Sequence, residues 1–197
     1  MKTKSIFFSA VALLIFVGCQ SQKRPLKAQS EFQTQQNSFF KDASKSPLKS
    51  KDLKAFEGLV FFPIDSLFVV EAQLKRTPNT PFFDMKTTTK RVTKERIFGI
   101  LSFTINKESY KLNVYQGAPD PDDEADSDYL FLPFLDDTNG TETYGGGRYI
   151  DLTIPEGNQL TIDFNKSYNP YCAYNEKYSC PIVPRENYLP LKMNAGV

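Results

Sequence analysis

The chain has no histidine, and its formal net charge is only +1. Without histidine, Ser-His-Asp and Cys-His catalysis are excluded, and the commonest ligand for zinc, copper or non-haem iron is missing. A near-neutral charge gives no electrostatic reason to expect a nucleic-acid partner. The sequence therefore indicates no metal centre, requires no cofactor and does not favour an enzyme.

Long hydrophobic runs are also scarce. The main one, Ile6 to Val17, is about 12 residues long, which is short of the ~20 residues of a membrane-spanning helix. Lys2 and Lys4 precede this run and Gly18-Cys19 follow it, an arrangement that resembles a bacterial lipoprotein signal. An ordinary secretory signal or an unprocessed anchor are the alternatives.

This signal predicts the organisation and location of the chain. Residues 1–18 are the signal peptide, 19–37 a flexible tether rich in Gln, Ser and Lys, and 38–197 a single domain. Acyl chains on Cys19 make the membrane the first partner. We expect a location outside the cytoplasm, at the periplasmic face of a Gram-negative outer membrane.

The composition favours strands, since the chain contains 17 Phe and 10 Tyr. A helical stripe over Glu31 to Ser44 predicts one short amphipathic helix, and Ser50 to Glu57 a further helical turn. Eight later segments have strand-like patterns: Leu59–Phe62, Leu67–Leu74, Arg91–Ile105, Tyr110–Tyr115, Tyr129–Leu135, Tyr149–Ile154, Gln159–Phe164 and Tyr188–Met193. We therefore predict a mainly β fold, a single antiparallel sandwich or barrel-like domain with a short N-terminal helix.

Turn-forming residues predict two hairpins. One turn lies between Ile105 and Tyr110, and the other, Pro155-Glu156-Gly157-Asn158, lies between Ile154 and Leu160. A third polar loop, Asp120 to Asp128, carries six acids. It is interpreted as a solvated loop, with Ca²⁺ binding as the alternative, although an EF-hand's glycine and closing glutamate are missing.

The string Tyr144-Gly145-Gly146-Gly147-Arg148 is the most unusual local feature. Arg148 can offer a fork of donors to a carboxylate or phosphate, and the alternative is a tight bend with Arg148 in an internal salt bridge. Amides and carboxylates are crowded among the glycine and proline turns that follow. The predicted ligand-binding set is Tyr144, Arg148, Asp163, Asn165, Asn169, Asn175, Glu186 and Asn187. The alternative is that these Asn and Asp side chains satisfy loop backbone.

Cys172 and Cys180 are predicted to form a disulfide, because an exported chain meets oxidising conditions. The alternative is a reactive thiol, which without histidine would depend on an arginine or lysine.

Several uncommon strings together resemble the family known as domain of unknown function 1684, over roughly residues 37–197. They are Phe61-Phe62-Pro63-Ile64-Asp65, Thr143-Tyr144-Gly145-Gly146-Gly147-Arg148-Tyr149, Asp163-Phe164-Asn165, Tyr168-Asn169-Pro170, Cys172-Ala173-Tyr174-Asn175, Cys180-Pro181, Glu186-Asn187 and Asn194-Ala195-Gly196. The resemblance implies no settled activity. Because relatives also occur inside cells, it keeps a ligand-facing thiol pair as an alternative to the disulfide.

Three functions are compatible with these observations. The first is a lipid-anchored β domain that binds a small ligand or a protein partner. The second is a structural or assembly lipoprotein with an aromatic interaction face. The third is a hydrolase that uses carboxylates such as Asp163 with Glu186 or Asp137.

Overall fold

The computed structural model describes residues 30–119 and 128–197. These residues form an open, curled antiparallel sheet, or half-barrel, with few helices. The elements are α1 (Glu31–Lys41), α2 (Ser50–Lys54), β1 (Val69–Arg76), β2 (Phe83–Lys86), β3 (Val92–Ile105), β4 (Glu108–Gly117), β5 (Tyr129–Asp136), β6 (Arg148–Thr153), β7 (Gln159–Asp163) and β8 (Tyr188–Leu189). The prediction of a mainly β, barrel-like domain is confirmed.

The main path of the sheet runs β6-β5-β4-β3-β1-β7. Two short strands lie off this path: β2 pairs with β3, and β8 pairs in parallel with β5. Since β6 and β7 lie at opposite ends of the path and do not pair, the sheet curls without closing into a hydrogen-bonded barrel.

The predicted hairpin across residues 155–158 is therefore wrong. β7 pairs with β1, with Val69 opposite Asp163, whereas β6 pairs with β5, with Tyr129 opposite Thr153. The chain does turn at residues 155–158 as predicted, but this turn connects β6 and β7, which lie at the two open ends of the sheet. Turn-forming residues predict that the chain reverses, but they do not predict which strand the returning segment pairs with.

The predicted hairpin between β3 and β4 is confirmed. Asn106 and Lys107 have φ angles of 51° and 69°, a left-handed pair that matches the twist of adjacent antiparallel strands. The register is regular from Gly99 opposite Val114 to Ile105 opposite Glu108.

Alternating apolar residues place the main core on one face of the sheet. In β1, Val70, Ala72 and Leu74 are buried and their neighbours are exposed. They join buried side chains of β3, β4 and β5, such as Leu101 and Leu132. The opposite face carries a second cluster of Met85, Tyr115, Phe131, Tyr149 and Val183. Both faces of the centre of the sheet are therefore covered.

The N-terminal helix α1 is packed on the domain. Its Phe40 is 2% exposed, and the Asn37 side chain accepts a hydrogen bond from Leu59 N at 2.8 Å. The helix prediction is confirmed, although the helix ends at Lys41 instead of Ser44 because Asp42 is already extended. Residues 31–37, which the sequence analysis assigned to the tether, are thus part of this helix.

The largest differences from the predicted strands are one predicted strand that is absent, one that is shorter and one strand, β2, that was not predicted. Leu59–Phe62 contains only an isolated bridge residue, and its buried side chains pack without a lateral strand. The last strand stops at Leu189. β2 has no strong alternation and is stabilised by pairing with the first half of β3, where Met85 lies opposite Thr93.

Candidate functional site

Arg148 lies inside the domain and not in a ligand site. Its side chain and that of Asp136 are both 0% exposed, and Arg148 Nη2 lies 2.8 Å from Asp136 Oδ2. The same nitrogen donates to Met193 O at 2.7 Å, while Nη1 donates to Ala195 O and Val197 O. The alternative of an internal salt bridge is the correct one, and it holds the C-terminal segment against β5 and β6.

Steric constraints explain why the residue before Arg148 is a glycine. Gly147 has φ +89°, and a Cβ there would lie 2.6 Å from Phe134 O and 2.7 Å from Val183 Cγ2. The glycine-rich string therefore serves a close backbone approach that leads Arg148 into the core.

Asn187 fills a gap in the sheet. Pro133 has no N–H to donate, and the register described for β4 and β5 is confined to Tyr115 opposite Phe131. The Asn187 amide donates to Asn113 O and Pro133 O at 2.8 and 2.7 Å, and accepts from Asn113 N at 2.9 Å. This fully buried side chain replaces missing ladder bonds, so its role is structural.

The side chains of Asp163 and Asn165 also make structural hydrogen bonds. Asn165 exchanges hydrogen bonds with the backbone N and O of Asp65 at 3.0 and 2.9 Å. Asp163 Oδ1 accepts from the Asn165 backbone and amide, both at 3.0 Å. This pair fixes the loop before β1 to the end of β7.

The remaining predicted amides lie elsewhere. Asn169 donates to the Tyr174 hydroxyl at 3.2 Å, and Asn175 donates to Pro47 O at 3.3 Å. Glu186 is exposed. Burial of Tyr115 raises the pKa of that tyrosine to about 12, and the negative charge of Glu186 adds to this shift. The eight predicted residues therefore do not converge on one pocket. Asp137 accepts a hydrogen bond from the Tyr188 hydroxyl, and the carboxylate pair of a hydrolase stays a prediction.

Cys172 and Cys180 are adjacent free thiols. The Cys172 N–H donates to Cys180 Sγ at 3.2 Å, and the Tyr144 hydroxyl lies 3.9 Å from Cys172 Sγ. Burial raises the pKa of Cys180 to about 11, which disfavours the thiolate needed for a nucleophile. The contact is compatible with the predicted disulfide, which stays a prediction.

A surface groove of about 530 Å³ is lined by one exposed cation, Arg185. Its lining residues are Leu135, Gly145, Gly146, Ile182, Val183, Arg185 and Tyr188. Within residues 30–119 and 128–197, no carboxylate lies within ion-pair distance of the exposed Arg185. The sequence analysis named the glycines, and it considered Arg185 as a cation for a thiolate and not as a ligand-binding residue, although Pro181-Ile182-Val183-Pro184 before it indicates an extended apolar wall.

A buried carboxyl group on β3 has an oxygen atom without a hydrogen-bond partner among the described residues. Glu95 is only 9% exposed, and its Oε2 has no hydrogen-bond partner. Burial raises the pKa of this carboxyl group. The sequence carried no sign of this group, because charged residues at alternate strand positions normally face water.

Two predictions concern residues that the structure does not describe. Cys19 lies outside the described residues, as does the acidic loop apart from Asp128. In the described part of the chain no three His, Cys, Asp or Glu side chains are grouped to hold a metal ion. Among the same residues, no helix has the length and apolar character to span a bilayer.

The architecture defines a small mainly β domain built on an open antiparallel sheet. The chain belongs to the family described as "Protein of unknown function (DUF1684)", whose model matches residues 54–197. The predicted family resemblance is confirmed.

A solved structure shares this fold. It is the solution NMR structure of an uncharacterized protein from gene locus rrnAC0354 of Haloarcula marismortui, 33% identical in sequence with a TM-score of 0.66. The similarity covers 83% of this chain and 88% of that chain. The search of curated proteins gave no match.

Proposed function

We propose that this protein is an exported lipoprotein whose β domain binds a small ligand at the membrane surface. The anchor rests on the Lys-rich start, the short apolar run and Gly18-Cys19. Acylation of Cys19 would place the domain at the periplasmic face of a Gram-negative outer membrane. Two or more acyl chains are sufficient for stable attachment.

The observation that carries the binding role is Arg185. Arg185 lines a groove whose other lining residues are mostly apolar, and it has no acidic partner among the described residues. A planar guanidinium pairs well with a carboxylate or phosphate. The ligand class is therefore a small amphiphile with an apolar body and an acidic group.

The expected affinity is modest. Burying about 100 Å² of apolar ligand surface contributes about 2.5 kcal/mol. A charge-assisted hydrogen bond adds about 1.5–3 kcal/mol. The sum corresponds to a dissociation constant of about 0.1–1 mM, which is measurable by NMR titration.

Octanoate is a suitable probe, with octanol as its neutral counterpart. We expect octanoate to shift the Tyr188 ring resonances of the full-length protein in maltoside detergent, and octanol to shift them much less. Arg185→Gln should weaken octanoate binding about tenfold. Lys75→Gln, a matched loss of an exposed cation on β1, should leave it unchanged. Equal binding by Arg185→Gln and the wild type would refute the groove as the site.

The anchor requires a separate measurement. Mass spectrometry of the protein purified from its native membrane should find a mature chain that begins at acylated Cys19. A mature chain with another start and no lipid would refute the anchor without affecting the groove.

An assembly role is the second candidate, and one surface favours it. Phe83, the first residue of β2, and Phe82 just before it are large apolar side chains that are 37% and 43% exposed. Cross-linking in the native membrane, compared with a Phe83→Ser variant, tests whether this surface contacts another protein.

A further inference from the structure

The Cys172–Cys180 pair is connected to the Arg185 groove along the chain and through space. Cys180 is followed, two and three residues later, by Ile182 and Val183, which line the groove. The Cys172 N–H donates to Cys180 Sγ at 3.2 Å, which holds the two cysteines side by side. One member of the pair therefore belongs to the segment that forms a wall of the groove.

Tyr144 connects the other cysteine to the glycines of the groove. Its hydroxyl group lies 3.9 Å from Cys172 Sγ, within reach of a weak hydrogen bond to sulfur. Its ring packs on Gly146, because a Cβ at that position would overlap Tyr144 Cε1. Gly145 and Gly146 are both exposed and line the groove. The position of the Tyr144 ring therefore determines the shape of this glycine wall.

The two cysteines differ in how firmly the backbone holds them. The Cys180 N–H donates to the Thr88 hydroxyl at 3.1 Å, and Cys180 O accepts from Thr88 N at 2.9 Å. Two residues later, Ile182 N donates to Lys86 O at 2.8 Å, at the end of β2. Cys172 lies in a single turn of 3₁₀ helix. A covalent bond between the two sulfur atoms would therefore displace Cys172 more than Cys180.

We propose that the redox state of this cysteine pair controls the Arg185 groove through Tyr144. In the reduced protein the Cys172 thiol contacts the Tyr144 hydroxyl and keeps the ring on Gly146. In the oxidised protein this sulfur is bonded to Cys180 and has no S–H to donate, so Tyr144 loses the contact. The glycine wall is then free to shift, and the groove binds its ligand more weakly. This inference rests on the proposed binding function of the groove.

The oxidant is a disulfide, either of a small molecule or of another protein. Cys172 is the accessible thiol, since Cys180 is only 7% exposed. After losing its proton, Cys172 Sγ attacks one sulfur of the oxidant, and the other sulfur leaves as a thiolate. Cys180 Sγ, deprotonated in turn, attacks Cys172 Sγ and releases the second thiolate. Two protein thiols thus become one disulfide, the oxidant is reduced to two thiols, and the two protons pass to the leaving sulfurs.

The test compares the reduced and oxidised forms of the full-length protein in maltoside detergent. Oxidised glutathione is the oxidant, and peptide mass mapping verifies the link between Cys172 and Cys180. We expect oxidation to shift the NMR amide resonances of Gly145 and Gly146 and to weaken octanoate binding about threefold. Gly157, in the turn before β7, should stay constant. Unchanged resonances of the two groove glycines, or failure of the cysteines to form the link, would overturn the proposal.

Two tyrosine variants separate the Tyr144 contact from the disulfide itself. Tyr144→Phe keeps the ring and removes only the hydroxyl group, so both of its redox forms should bind octanoate with the affinity of the oxidised wild type. Tyr178→Phe is the matched control, because Tyr178 lies inside the loop that the disulfide closes and does not line the groove. The redox difference should remain in Tyr178→Phe, and its persistence in Tyr144→Phe would overturn the proposal.

A cysteine variant covers the case in which Tyr144→Phe alters resonances across the domain. Cys172→Ser cannot form the link, so its groove glycines should not respond to oxidised glutathione. A response of Gly145 and Gly146 in this variant equal to that of the wild type would overturn the proposal.

Failure of the proposed function gives a different result. If octanoate binds both redox forms equally, the binding function of the groove stands and its redox control is refuted. If octanoate binds neither form, the binding function fails, and the groove glycines still report on the cysteine pair. A glycine shift on oxidation that Tyr144→Phe abolishes then supports the coupling, and the absence of such a shift refutes it.

Discussion

Removing the buried charge of Asp136 should strongly destabilise the domain. Its Oδ2 accepts from Arg148 at 2.8 Å, and its Oδ1 accepts from the backbone and hydroxyl of Thr138 at 2.8 and 2.6 Å. Asp136→Asn keeps the shape of the side chain and leaves the Arg148 cation in the core without a counter-charge. Breaking a buried ion pair in this way costs about 3–5 kcal/mol.

The assay is urea unfolding followed by tyrosine fluorescence, since the chain has no tryptophan. With an m value of about 2 kcal/mol/M, the midpoint should fall by about 1.5–2.5 M. Asp84→Asn is the control, because the Asp84–Lys94 pair is exposed and its loss should cost less than about 1 kcal/mol. The reasoning is refuted if Asp136→Asn is no more destabilising than this surface variant.

A double-mutant cycle separates the pair from its surroundings. Arg148→Met alone should be at least as destabilising as Asp136→Asn, because it also removes donors to the carbonyls of Met193 and Ala195. The double variant should be less destabilised than the sum of the two, by about 1–3 kcal/mol. Strict additivity would contradict a direct interaction.

Three further predictions follow from buried groups. Because burial raises the pKa of Glu95 above 4.5, the folded state binds its proton more tightly than the unfolded state, so this group's stabilising contribution is lost as the pH rises through the folded-state pKa. The stability gain of Glu95→Gln should therefore grow between pH 4 and pH 8, and parallel urea-derived stability curves would contradict this. Mild oxidation should link Cys172 and Cys180 and raise the thermal midpoint, because closing a short loop contributes about 2–3 kcal/mol; no shift in mass and midpoint would count against the disulfide. Gly147→Ala should lose about 1–3 kcal/mol in urea unfolding through its left-handed φ and the contact with Phe134 O, and wild-type stability would show that the turn can relax.

The sequence by itself determined the local features of the fold. Strand-like patterns predicted β1 and β3 to β7, and the turn at Asn106-Lys107 predicted a hairpin, because these signals depend on neighbouring residues alone. The family could also be recognised from the sequence, since its uncommon motifs occur in the same order along the chain. The predicted lipoprotein signal at Cys19 rests on the same kind of local pattern and stays a prediction.

Only the tertiary structure decided which strands are neighbours and which polar groups are free. β7 pairs with β1 across about 90 residues, and no local signal distinguishes this from pairing with β6. Arg148 and Asn187 read as ligand-binding residues, but the fold buries both and gives their donors to backbone carbonyls of distant segments. Arg185 entered the sequence analysis only among the cations that could serve a thiolate. The fold places it at a groove without an ion-pair partner among the described residues, because burial and pairing are properties of the assembled sheet and not of residue type.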